Sequence, residues 1–91
     1  MNKTIIIDNL SSKYYECNYQ TIENNWYLLL ITPGKKYNID ENIYIFNLFN
    51  NNKSIVNNLA EKSIIHLKLK EKEKYTIVIK DGEDIEIKNN D

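Results

Sequence analysis

Arginine is absent from the 91 residues, so all 12 basic residues are lysine, set against 13 acidic ones. Arginine's planar guanidinium fork is the usual bidentate reader of phosphate, carboxylate and guanine. Without it, and at a formal net charge of -1, the chain is not expected to be a dedicated reader of nucleic acid or phosphopeptide. The lone cysteine, Cys17, excludes an intramolecular disulfide and suits a reducing compartment. One cysteine and one histidine, His66, cannot furnish a four-ligand zinc site. The only two glycines, Gly34 and Gly82, stand too far apart for a phosphate-cradling loop. The longest apolar run, Trp26 to Ile31, is too short to cross a bilayer as a helix. No charged start leads into an apolar run and small residues, so no signal peptide is expected. These absences describe a soluble, cytoplasmic protein without cofactor or metal. The excess of Asn, Ile, Lys and Tyr is the mark of AT-rich coding DNA, as in low-GC bacteria and their phages, and points to a bacterial or phage-infected cell.

What is present reads mainly as strands. The length allows one domain, residues 1–91. Thr4 to Ile7 is β-branched and is closed by Asp8-Asn9. From Lys13 to Tyr19 the chain alternates, with Tyr15, Cys17 and Tyr19 on one face and Tyr14, Glu16 and Asn18 on the other. Asn24-Asn25 punctuates, and the stretch 26–31, WYLLLI, is apolar on both faces, which predicts a central buried strand. Thr32-Pro33-Gly34 is the clearest turn. Lys36 to Ile39 and Ile43 to Phe49 read as two strands about a tight turn at Asp40-Glu41-Asn42. Beyond the polar Asn50-Asn51-Asn52-Lys53, helical spacing of Ile55, Val56, Leu59 and Ala60 predicts one short helix near 54–61.

The last third reads as a three-stranded meander over 63–70, 75–80 and 84–88. Face matching sets Leu69 against Ile77, then Ile77 against Ile87 and Ile79 against Ile85, which leaves Asp81-Gly82-Glu83 as the second loop. A two-residue Asp-Gly turn would break that match. Leu67, Leu69, Ile77, Ile79, Ile85 and Ile87 are then core. His66, Lys68, Lys70, Thr76, Val78, Lys80, Glu86 and Lys88 face solvent, with Lys80 beside His66. The expected fold class is all-β or β-rich α+β, a small antiparallel sandwich or barrel with that meander and the one short helix.

Catalysis finds little support in this layout. Ser63 and His66 differ in parity on a strand and point to opposite faces, and a neighbouring lysine does not activate an imidazole. Cys17 alternates with Tyr15 and Tyr19 on a packed face, where thiols are inert. Asp40-Glu41 and Asp81-Glu83-Asp84 sit where turns are expected and lack the spacing of a calcium loop. Contact chemistry is better supplied. Tyr14, Tyr15, Tyr19, Trp26, Tyr27, Tyr37 and Tyr44 cannot all fit one small core, and exposed aromatic clusters favour protein interfaces. The candidate partner-binding residues are Tyr14, Tyr27, Tyr37, Tyr44, His66, Lys68 and Lys70. An open β edge is a second means of docking.

From Gly34, Tyr37 and Ile39 through Ile55-Val56 to Ser63-Ile64-Ile65-His66 and Leu69, the spacing resembles a forkhead-associated (FHA) domain over roughly residues 31–80. The family's phosphate-binding Gly-Arg has no counterpart near Ile45-Phe46-Asn47. The resemblance therefore implies a degenerate FHA-like interaction sandwich rather than a phosphothreonine reader. The expected function is a non-catalytic module that docks on a larger protein or nucleoprotein partner, of the kind found in phage or mobile-element antagonists such as anti-CRISPR inhibitors. The alternatives are a degenerate FHA-like adaptor of a bacterial complex such as a secretion ATPase and, as a minor reading, a lysine-based nucleic-acid binder. The sequence leaves the oligomeric state open.

Overall fold

Every second residue from Tyr15 to Thr21 is buried, and that period of two organises the whole molecule. The computed structural model describes residues 3–50, 63–70, 74–82 and 84–89. Eight strands are found there: β1 (Lys3–Asn9), β2 (Tyr15–Thr21), β3 (Trp26–Ile31), β4 (Lys36–Glu41), β5 (Ile43–Asn50), β6 (Ile65–Lys68), β7 (Lys74–Lys80) and β8 (Asp84–Asn89). They form two four-stranded sheets, β4-β1-β7-β8 and β3-β2-β5-β6, packed face to face as an all-β sandwich. No helix occurs among the described residues, and the helix expected near 54–61 lies outside them.

The core lies between the sheets. Ile5, Ile7, Ile39, Ile77 and Ile79 come from the first sheet; Tyr15, Cys17, Ile31, Ile43, Phe46, Leu48 and Ile65 come from the second, with Leu69 just beyond it. The chain changes sheets between β1 and β2, β3 and β4, β4 and β5, and β6 and β7. The β4–β5 change takes a single residue, Asn42, where the sequence suggested a hairpin. Gly34 and Gly82 have φ of 75° and 81°, a region open to glycine at no steric cost, and each closes a turn.

The predicted meander is only half present. β7 and β8 pair as expected, Ile77 with Ile87 and Ile79 with Ile85, and the loop between Lys80 and Asp84 has the longer form. β6, however, pairs with β5 in the other sheet, Leu48 against Ile65 and Phe46 against Leu67. The place expected for β6 is taken by β1, which runs parallel to β7 with Ile7 opposite Ile77. Parity fixes which face of a strand is apolar, and that demand is met equally by a neighbour in the same sheet or by one across the core. His66 accordingly faces Asn47, not Lys80. Ile87, expected in the core, is 45% exposed because β8 is an edge strand.

The second correction concerns WYLLLI. β3 is not central; it is the outer strand of the second sheet, paired with β2 alone among the described residues. Only Ile31 of its six residues is buried.

The connection from β1 to β2 is held by a buried polar knot. Asn9, fully buried, donates through Nδ2 to the carbonyl oxygens of Lys13 (2.9 Å) and Ile31 (3.4 Å). Its Oδ1 accepts from Ser11 N–H (3.1 Å) and Ser11 Oγ (2.6 Å). Ser12 then donates from its N–H and Oγ to Asp81 Oδ1, at 2.9 and 3.1 Å, tying this connection to the β7–β8 turn.

Candidate protein-interaction face

Because Tyr15, Cys17 and Tyr19 face inward, Glu16, Asn18 and Gln20 face outward, and the ladders on either side dictate what lies beside them. Gln20 stands between Trp26 on β3 and Ile45 on β5, with Lys68 on β6 beyond Ile45. Asn18 stands between Leu28 and Asn47, with His66 beyond. Glu16 stands between Leu30 and Phe49. The outer face of the second sheet thus has an apolar margin on β3, a central band in which Glu16, Asn18, Gln20 and Asn47 lie among Ile45 and Phe49, and a margin with His66 and Lys68 on β6.

The apolar margin is open to solvent. Leu28 is 71% exposed, Trp26 54% and Leu30 48%. Tyr14, which shares the outward parity of Glu16, is also exposed, as is Ile64 just before β6. Natural edge strands commonly carry lysine, proline or inward-pointing charge that blocks strand addition. β3 carries no charged residue and no proline. The other three edges all carry charge: Lys36, Asp40 and Glu41 on β4, Asp84, Glu86 and Lys88 on β8, and His66 and Lys68 on β6.

The hydrogen-bonding phase of that edge follows from one bond. Thr21 N–H donates to Asn25 C=O at 3.0 Å, in register with the β2–β3 ladder. Directly opposed residues exchange such bonds only at alternate positions of an antiparallel pair. Tyr27, Leu29 and Ile31 therefore turn their backbone groups toward β2. The N–H and C=O groups of Trp26, Leu28 and Leu30 point off the edge.

The polar centre is a directed chain. Asn47 Nδ2 donates to Asn18 Oδ1 at 2.9 Å, and Asn47 Oδ1 is within hydrogen-bond reach of His66 Nδ1. A carboxamide oxygen only accepts, so His66 Nδ1 is the donor of this contact. The row forms a stiff polar spine that holds β2, β5 and β6 in register.

The predicted contact residues divide. Tyr14, His66 and Lys68 belong to this face, and Lys70 is exposed just past Leu69. Tyr44 is exposed where the β2–β5 register shifts. Tyr27 is at the same edge but turned inward, its ring stacked on Tyr19 at 5.2 Å between centroids. Tyr19 Oη donates to Glu41 Oε2 at 2.8 Å, and burial first, then this carboxylate, push its hydroxyl pKa upward. Tyr37 lies on the opposite sheet, where its hydroxyl accepts Thr32 N–H at 2.9 Å and braces the turn before β4. Trp26, Leu28, Leu30, Asn18 and Asn47 were not among the predicted contact residues. The signal was available: once Asn24-Asn25 is read as a hairpin turn, matching Leu29 and Ile31 to Cys17 and Tyr15 puts Trp26, Leu28 and Leu30 beside Gln20, Asn18 and Glu16.

Other chemistry is sparse among the described residues. No group of three or more His, Cys, Asp or Glu is placed to hold a metal ion. No helix is long and apolar enough to cross a membrane. The Cys17 thiol is buried, and desolvation pushes its pKa up to about 12, far from the range of a nucleophilic thiolate. No protein-family model, curated protein or solved structure matches the chain.

Proposed function

We propose that the protein is a non-catalytic binding module that docks on a larger protein or nucleoprotein partner through the outer face of the second sheet. The observation that carries this reading is the uncharged, solvent-exposed margin Trp26–Leu28–Leu30 beside an ordered polar spine. Exposed aromatic and leucine side chains next to satisfied polar groups make the mixed surface that protein interfaces favour. His66 and Lys68 add a polar ring and a cation at the far margin, which supplies direction to a contact otherwise dominated by apolar area.

We propose further that its setting is a phage or mobile element and its role that of an antagonist of host machinery, in the manner of anti-CRISPR inhibitors. The AT-rich coding bias of its composition supports this setting.

The test is affinity capture from host lysate with three baits: wild type, Leu28→Lys, and Asn38→Lys as a control on the exposed part of β4 in the other sheet. A partner recovered by wild type and Asn38→Lys but lost with Leu28→Lys is the expected result. A partner lost with Asn38→Lys and retained with Leu28→Lys overturns the assignment of the face. A nuclease or nucleoprotein effector as partner fits antagonism, and a secretion component fits the FHA-like adaptor instead.

A further inference from the structure

We propose that a second copy of this chain is the occupant of the β3 edge. The two copies pair antiparallel about a two-fold axis through Leu28, so that their second sheets continue as one eight-stranded sheet. This goes beyond the docking function: the Trp26, Leu28 and Leu30 side chains of the two copies meet edge to edge at the seam and form one continuous apolar stripe on the joined outer face.

The register follows from the hydrogen-bonding phase. Only Trp26, Leu28 and Leu30 present backbone groups to the outside, so they must meet their equivalents. An axis through Leu28 sets Leu28 against Leu28 and Trp26 against Leu30 of the second copy, in both directions. All three outward residues then exchange an N–H and a C=O with the other copy. An axis through Tyr27 or Leu29 pairs fewer of them, and an axis between residues sets outward groups against inward ones. Side chains agree with this choice. On the outer face each Trp26 lies beside a leucine, and on the inner face Tyr27 lies beside Leu29 of the other copy. β3 brings no charge to its own image, whereas β4, β6 and β8 each carry several charged or titratable side chains. An isologous, closed contact of this kind also stops at two copies.

Size sets the strength. Trp26, Tyr27, Leu28 and Leu30 are 54, 42, 71 and 48% exposed, which amounts to at most roughly 450 Å² per copy where a large aromatic side chain offers about 150–250 Å², and edge pairing covers only the lateral part of it. Two copies together offer about 900 Å², below the ~1,200–2,000 Å² of a standard interface and within the weak, reversible class. The dimer should therefore be weak and concentration-dependent.

Sedimentation equilibrium of the full chain from about 5 to 500 μM tests this. The weight-average mass should rise from near the 10.8 kDa of one chain toward twice that value. Leu28→Lys should remain monomeric throughout with an unchanged circular dichroism spectrum. The register has its own check. Leu28→Cys places two thiols across a hydrogen-bonded pair about 5.5 Å apart at Cα, within disulfide range. Mild oxidation should cross-link it. Leu30→Cys, displaced from its own image by about 13 Å along the strand, should not cross-link. A wild type that stays monomeric to 500 μM, or cross-linking of Leu30→Cys as fast as Leu28→Cys, overturns the proposal. No docking partner enters these measurements, so their failure leaves the docking function standing.

Discussion

His66 and Asn47 stand directly opposite each other on β6 and β5, joined side chain to side chain from Nδ1 to Oδ1. The single histidine is therefore the end of a hydrogen-bonded row that runs through Asn47 to Asn18. Ser63 precedes the strand and takes no part in the row.

That row predicts measurable coupling. Asn47→Ala should destabilise by about 1 kcal/mol, since both hydrogen bonds are exposed or half-buried and water replaces them in part. A double-mutant cycle with His66→Ala should give a coupling energy of about 0.5–1 kcal/mol in urea titrations. A coupling of zero would show the two side chains to be independent.

The Asn9 knot should matter more. Asn9→Ala removes, at a fully buried position, the acceptor of Ser11 N–H and Oγ and the amide donor to the Lys13 and Ile31 carbonyls. The expected loss is about 2–4 kcal/mol, against about 1 kcal/mol for Ser12→Ala at the exposed Asp81 contact. Thermal melts of the two variants would rank them, and equal losses would contradict the role assigned to Asn9.

Much of this fold could be read before any coordinates. The inward triplet Tyr15, Cys17 and Tyr19, the turn at Thr32-Pro33-Gly34 and the Ile77–Ile87 register of the last hairpin all follow from strand period and turn chemistry, which are local. The parallel β1–β7 pair could not be read, because no turn announces a pairing between residues about seventy positions apart in a chain. β3 was misread for a related reason. An apolar strand with no polar face is expected in the middle of a sheet, and the same composition also describes this solvent-exposed edge strand. Composition cannot separate the two; the identity of its neighbours does, since β3 has β2 on one side only.

Cys17 predicts an alkaline limit to stability. Its thiol pKa rises from 9.0 in a model thiol to about 12 in the fold. Between those values the unfolded chain has lost a proton that the folded chain retains. Stability is therefore complete below about pH 9 and falls as pH rises, by up to ~1.4 kcal/mol per pH unit for one such group. Tyr19, shifted in the same direction, adds to the loss above pH 10. Urea midpoints that stay constant from pH 8 to 11 would show that neither group is buried as described. In the native state Cys17 should also resist thiol reagents at pH 8 and react fully once the chain is unfolded in denaturant.

Gly34 offers a test of the turn that delivers β4. Its φ of 75° costs an L-residue strain even though a Cβ there would meet nothing within 4 Å. Gly34→Ala should lower stability by about 1 kcal/mol. No loss would show that the turn relaxes to another conformation.

The docking role proposed for the outer margin of β3 can be measured on the captured partner itself. The most direct measurement is the affinity of the captured partner for wild type, Trp26→Lys and Asn38→Lys by titration calorimetry. Trp26→Lys should weaken binding at least tenfold, about 1.4 kcal/mol, while Asn38→Lys binds as wild type does. Equal affinities for all three would place the interface elsewhere and contradict the account.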